Sequence, residues 1–135
     1  MVILSAAEIL KARKNLKGVV YRTPLTYSKK LSEISGAEVY LKWENLQKTG
    51  SFKLRGAYNK ICSLAPEKRS KGVITASAGN HALAVALVAK MMNLKAIVVV
   101  PENAPKIKVE HCGALGAEVV LKGTNYDESV THCKM

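Results

Sequence analysis

From Val73 onward the chain alternates short β-branched runs with helical patterns, and no other feature restricts its fold so strongly. Val73-Ile74-Thr75-Ala76, Ala96 to Val100 and Ala117 to Leu121 each have the length and composition of a strand. Asn80 to Met92 and Pro105 to Leu115 are too long for strands and read as helices, and Asn125 opens a further one. Strand, helix, strand at intervals of about 20–25 residues signals a parallel sheet joined by right-handed helical crossovers. The strands lack polar alternation, as strands covered on both faces require. The predicted fold class is α/β, a three-layer open parallel sheet with helices on both faces.

The first 72 residues are less regular. Ser5-x-x-Glu8 is a capping-box pattern, and Ile9, Leu10 and Leu16 form an apolar stripe, predicting a helix over about 5–17. Arg22-Thr23-Pro24-Leu25 interrupts the helix, because Pro24 disfavours helical backbone at Thr23. A short helix near Lys29–Ile34, stopped by Gly36, and a strand over Val39–Trp43 follow. Ser51 is the expected N-cap of the next helix, with Lys53 in its first turn and Leu54, Ala57, Tyr58, Ile61 and Leu64 on its apolar face. Glu67–Lys71 reads as a charged connector to the sheet.

Composition narrows the partners. A chain of 135 residues with 48% apolar content supports a core and argues against disorder. The longest apolar run, Ala82 to Ala89, is eight residues, far short of the roughly 20 that a membrane helix needs. Only Val2-Ile3-Leu4 precedes Ser5 and Glu8, so no secretory leader core is visible, and a soluble cytoplasmic chain is expected. The net charge of +11 is concentrated in residues 1–60, which hold twelve Lys/Arg and four acids. These charges are scattered, and one Trp, one Phe and five Tyr give little surface for stacking on bases. Neither nucleic acid nor membrane is an expected partner. Cys62, Cys112 and Cys133 contain no CxxC pair, so no disulfide framework is expected. His111-Cys112 and His132-Cys133 lack the usual ligand spacing, and no metal site is expected either.

Two segments have the composition of a chemical site. Ser77-Ala78-Gly79-Asn80-His81 joins a strand to a helix, at the end of the sheet where open parallel sheets bind ligands. A small glycine-containing turn there lets backbone amides and the helix dipole meet a carboxylate or phosphate. An ordinary turn capped by Ser77 or Asn80 satisfies the same spacing. Neither GxGxxG nor GxxxxGK[ST] occurs, so the nucleotide fingerprints are absent. The second segment is Lys48-Thr49-Gly50-Ser51-Phe52-Lys53-Leu54-Arg55-Gly56. A lysine in a first helical turn meets the positive end of the dipole, which disfavours its ammonium form and favours a nucleophilic amine. By composition alone, the reading of Lys53 as one more surface lysine is the favoured one.

Residues 44–57, from Glu44 through Gly50-Ser51-Phe52-Lys53-Leu54-Arg55-Gly56 to Ala57, resemble the cofactor-lysine motif of fold type II pyridoxal-phosphate (PLP) enzymes. Within them the match is to the threonine/serine dehydratases. Ser77-Ala78-Gly79-Asn80-His81-Ala82 resembles their substrate-carboxylate loop. Arg22-Thr23-Pro24-Leu25, Pro101 to Lys108 and Gly116 to Leu121 continue the likeness in register over nearly the whole chain.

The resemblance implies that Lys53 holds PLP and later acts as the base on Cα, that Phe52 packs beside the cofactor, and that Asn80 bonds its 3-hydroxyl. It implies that Ser77, Gly79, Asn80 and His81 hold the substrate carboxylate. The implied reaction removes the α-proton and β-hydroxyl of L-threonine or L-serine, leaving an enamine that hydrolyses to a 2-oxo acid and ammonia. Serine racemases of this fold carry a serine where Ala78 stands, as a base on the opposite face, so racemisation by that route is disfavoured. Leu83-Ala84 departs from the family's usual glutamine and glycine without removing a named chemical group. Family members exceed about 300 residues and form homo-oligomers; that length is on the scale of two domains. Residues 1–45 are therefore expected to begin a larger, incomplete domain and residues 46–135 to form most of a smaller one. On that expectation the first helix and the 39–43 strand lack partners and expose apolar faces. Activity is then expected of the complete enzyme, with a non-enzymatic truncated protein that binds PLP, an anion or a partner chain as the alternative.

Overall fold

The computed structural model describes residues 4–134. Val2 and Ile3, read above for a leader, lie outside the described residues. A parallel sheet holds β3 (Val73–Ala76), β4 (Ala96–Val100) and β5 (Glu118–Leu121) in that order. Helix α5 (Asn80–Met91) crosses from β3 to β4, and α6 (Lys106–Ala114) crosses from β4 to β5. Both pack on one face of the sheet, as two crossovers of the same hand moving in the same direction must. Ala96, Val98 and Val100 join Ala82, Ala86 and Ala89 of α5 and Cys112 of α6 in one core. The strand period of two points Ile97 and Val99 to the other face. Val99 is also fully buried, under α7 (Tyr126–Cys133), which lies over β3 and β4. Helices on both faces make this a three-layer α/β structure.

Helix α5 is apolar nearly all round because it is buried on two sides. Ala82, Ala86 and Ala89 meet the sheet, while Ala84, Val85 and Val88 meet Leu54, Ala57 and Ile61 of α3 (Lys53–Cys62). Such a helix needs no polar stripe. The tight turns follow glycine chemistry at Gly72, where φ is +90° and an added Cβ would sit 2.6 Å from the carbonyl oxygen of Lys95.

The N-terminal region is built differently. Ser5 caps α1 (Ala6–Asn15) in a complete capping box with Glu8, close to the predicted bounds. Helix α2 (Lys29–Ser35) ends at Gly36 in left-handed backbone, as expected. The predicted strand is β2 (Tyr40–Lys42), and here the structure corrects one expectation. It has a partner within the chain: β1 (Leu25–Tyr27) pairs with it antiparallel. Three exposed residues after a proline give no periodic signal, so β1 escaped the sequence reading. The expected exposure of apolar side chains holds, with Ile9 and Leu10 of α1 and Tyr40 of β2 all more than half exposed. The connector also holds a short helix, α4 (Pro66–Arg69), started by its proline.

Candidate active site

Lys53 is the first residue of α3, one position later than a Ser51 cap implies. Phe52 is the N-cap and donates no side-chain cap. Ser51 still contributes, since its Oγ accepts the Lys53 N–H at 3.4 Å. The Lys53 ammonium lies 4.9 Å from the Phe52 ring centroid, and both side chains are exposed.

The second segment forms the loop between β3 and α5. The Ser77 N–H continues the sheet to the Val99 carbonyl at 3.1 Å, and the Ser77 hydroxyl accepts the Gly79 N–H at 3.2 Å. Gly79 is extended, Asn80 opens α5, and no side chain caps the helix, so its first-turn amides face outward. The turn is therefore not the self-capped one that Ser77 or Asn80 would make. Gly79 has open space where a Cβ would stand.

Packing of α3 on α5 joins the two segments. The helices meet through Leu54 and its neighbours, which sets Lys53 near His81 at the start of α5. Partial burial of the ring, then the Lys53 charge, holds His81 below the ordinary imidazole range, so it is neutral at pH 7. The structure thus gathers an amine, an aromatic face, a neutral imidazole and an uncapped helix start. That combination suits a ligand with both a carbonyl and an anionic group. A cavity of about 350 Å³ between α3, β3 and α5 touches this place at His81 and otherwise follows the free edge of β3. Among the described residues, no group of three or more His, Cys, Asp or Glu is placed to hold a metal ion, and the three cysteines are unpaired.

Two features went unread in the sequence. The Thr49 hydroxyl oxygen is buried without a hydrogen-bond partner four residues before Lys53. Glu44 is bound in fork geometry by Arg55, with Nε at 2.9 Å and Nη2 at 2.7 Å, and also accepts from the Thr23 hydroxyl. Hydrogen bonding from Arg55, then from Thr23, holds the Glu44 carboxyl down at about 2 despite partial burial. Arg55 also donates to the Tyr21 carbonyl at 3.3 Å, and Lys42 Nζ donates to the Thr23 carbonyl at 2.7 Å. Gln47 accepts the Tyr21 N–H and donates to the Tyr21 carbonyl, at 2.9 and 3.0 Å. Glu44, Gln47 and Arg55 all lie inside residues 44–57, but their bonds to Thr23 and Tyr21 span 21 to 34 residues, beyond any local pattern.

Comparison with known proteins bears on the family and the fold. An L-threonine ammonia-lyase of Thermotoga maritima is 52% identical over 127 residues, covering 94% of this chain and 32% of the relative. A serine racemase structure from Dictyostelium discoideum superposes with a TM-score of 0.87 at 40% identity, covering 97% of this chain and 43% of that one. The processed form of threonine deaminase isoform 2 from Solanum lycopersicum gives 0.81 at 41% identity, covering 96% and 37%. The chain spans about a third of the length of the curated relatives it matches, 32% and 37% for two of them. No helix among the described residues is long and apolar enough to cross a membrane. The family model described as "Pyridoxal-phosphate dependent enzyme" matches residues 16–135, and the chain belongs to that family, with its fold type II members as structural neighbours.

Proposed function

We propose that the chain is the N-terminal part of a PLP-dependent L-threonine/L-serine ammonia-lyase, in which residues 1–45 open a larger domain and 46–135 form most of a smaller one. The observation that carries this reading is the placement of Lys53 beside an uncapped helix start that holds Asn80 and His81. The donor set fits the cofactor: an exposed amine, an adjacent aromatic ring and an orphaned hydroxyl at Thr49. PLP, when bound, supplies the electron sink for loss of the α-proton and β-hydroxyl. Lys53 would hold the cofactor through Nζ and, once the substrate amine has displaced it, the freed Nζ would take the proton from Cα. Phe52 would lie against the cofactor, and the Asn80 amide would bond its 3-hydroxyl. The amides and side chains of Ser77, Gly79, Asn80 and His81 hold the substrate carboxylate, where the α5 dipole favours negative charge. A neutral His81 donates one N–H to that carboxylate without adding a second cation beside Lys53.

The test adds PLP to the chain, reduces with borohydride and maps the label by mass spectrometry. Label concentrated at Lys53 is expected, and label elsewhere sinks the assignment. In a full-length protein carrying this chain, 2-oxo acid is expected from L-threonine or L-serine and none after Lys53→Ala. Retained PLP without turnover would favour the non-enzymatic alternative. The serine racemase neighbour supports a second reading, but Ala78 offers no group to exchange a proton on the opposite face. Formation of D-serine at a rate comparable with 2-oxo acid would reverse that ranking.

A further inference from the structure

Helix α3 begins without a side-chain cap, its nearest substitute being the long 3.4 Å contact from Lys53 N–H to Ser51 Oγ. Something else must fix the end of the helix that carries Lys53. Successive helical side chains are turned by about 100°, so Lys53, Leu54 and Arg55 point three different ways. Leu54 is 0% exposed in the core shared with α5. Arg55 grips Glu44 with both ends of its fork and reaches the Tyr21 carbonyl. Lys53 points to neither and is left free.

We propose that the Glu44–Arg55 pair is a positioning device for Lys53, fixing the rotation and first turn of α3 so that the lysine is held towards the Ser77–His81 loop. The proposal rests on the reading of Lys53 as the PLP-bearing lysine. The anchor for the pair is the N-terminal region. Thr23 donates to Glu44, Lys42 closes on the Thr23 carbonyl, and Gln47 brackets the Tyr21 backbone, so Glu44 is itself held in place. The side chains of Arg55 and Glu44 are only 30% and 14% exposed, and the geometry is bidentate, unlike that of a loose surface pair. Loss of the fork leaves the first turn of α3 to the apolar contacts of Leu54, Ala57 and Ile61, with one further tie later in the helix at Asn59, whose Oδ1 accepts from Asn15; apolar contacts tolerate small shifts that an aimed amine does not.

Borohydride trapping of PLP on the chain tests this, with the exposed Lys29 and Lys95 as internal references. In the unmodified chain Lys53 is expected to carry most of the label. Arg55→Met and Glu44→Gln are expected to lower the Lys53 share by about 10- to 100-fold relative to the references. Arg55→Lys keeps the charge but not the fork and should recover part of it. Thr23→Val removes one hydrogen bond while leaving the pair, and a smaller loss is expected. This variant decides the matter should the first two fail to fold. Amide hydrogen exchange at residues 54–56 should quicken in Arg55→Met, with 57–62 unchanged. Variants that lose stability yet keep the Lys53 share of the unmodified chain overturn the proposal and make the pair purely structural. An unmodified chain with no preference for Lys53 sinks the cofactor-lysine reading first, and the positioning role with it.

Discussion

Residues 4–52 and residues 53–134 are held together by different forces. Every buried apolar side chain in the described structure belongs to the second region, from Leu54 to Ala117. The first region buries Thr23, Ser32, Gln47 and Ser51, all polar, while Ile9, Leu10, Leu25 and Ile34 stay exposed. One region closes on itself through packing. The other is tied to it by a few hydrogen bonds, a forked ion pair and the packing of Val20 on the α3–α5 cluster, while Ile9 and Leu10 of its first helix stay uncovered. A segment can thus be well ordered locally, by caps and a strand pair, while fully burying no apolar side chain of its own.

The sharpest test is Leu54→Ala, which empties space between α3 and α5. A loss of about 2–5 kcal/mol is expected in urea unfolding. A loss below about 1 kcal/mol would mean that the second region does not depend on that packing. Next comes Glu44→Gln, which leaves Arg55 part-buried and uncompensated and should cost about 1–3 kcal/mol. Its pH signature is specific. The Glu44 carboxyl is lowered from 4.5 to about 2 in the folded chain, so its contribution is complete above pH 4.5 and lost as pH falls towards 2. The stability difference between the unmodified chain and Glu44→Gln should therefore shrink across that window, and a constant difference contradicts the ion-pair account.

Smaller effects are expected within the N-terminal region. Ser5→Ala removes the hydroxyl that accepts the Glu8 N–H at 3.2 Å and donates to Glu8 Oε2 at 2.9 Å, and should cost about 1 kcal/mol of local helix stability, seen as faster exchange in α1. Ile9→Ser should change stability by less than about 0.5 kcal/mol, because the side chain is 56% exposed. A large effect that grows with protein concentration would show that self-association covers this stripe, and the contrast between the regions would then hold only for the monomer.

Legibility in the sequence follows the same division. The capping box at Ser5, the stop at Gly36, the Asn125 cap of α7 and the strands of the parallel sheet all came from neighbours within a few residues. Local chemistry sets such features, and a sequence displays local chemistry directly. Strand β1 was missed because three exposed residues carry no period, and α3 starts at Lys53 because the cap expected from Ser51 shrank to one long contact. The two candidate site segments were readable as motifs. Their meeting was not, because it depends on Leu54, Ala57 and Ile61 packing against Ala84, Val85 and Val88.

The sequence by itself determined the α/β alternation, most helix ends, and the lysine and loop that mark the pyridoxal-phosphate-dependent family. Only the tertiary structure decided that α5 is buried on two sides, that β2 has β1 as its partner, and that Arg55 and Thr23 converge on Glu44. Each of these joins residues far apart in the chain. Such contacts form only once loop-closure entropy has been offset by burial and pairing elsewhere, and a pattern read along the chain carries no record of that balance.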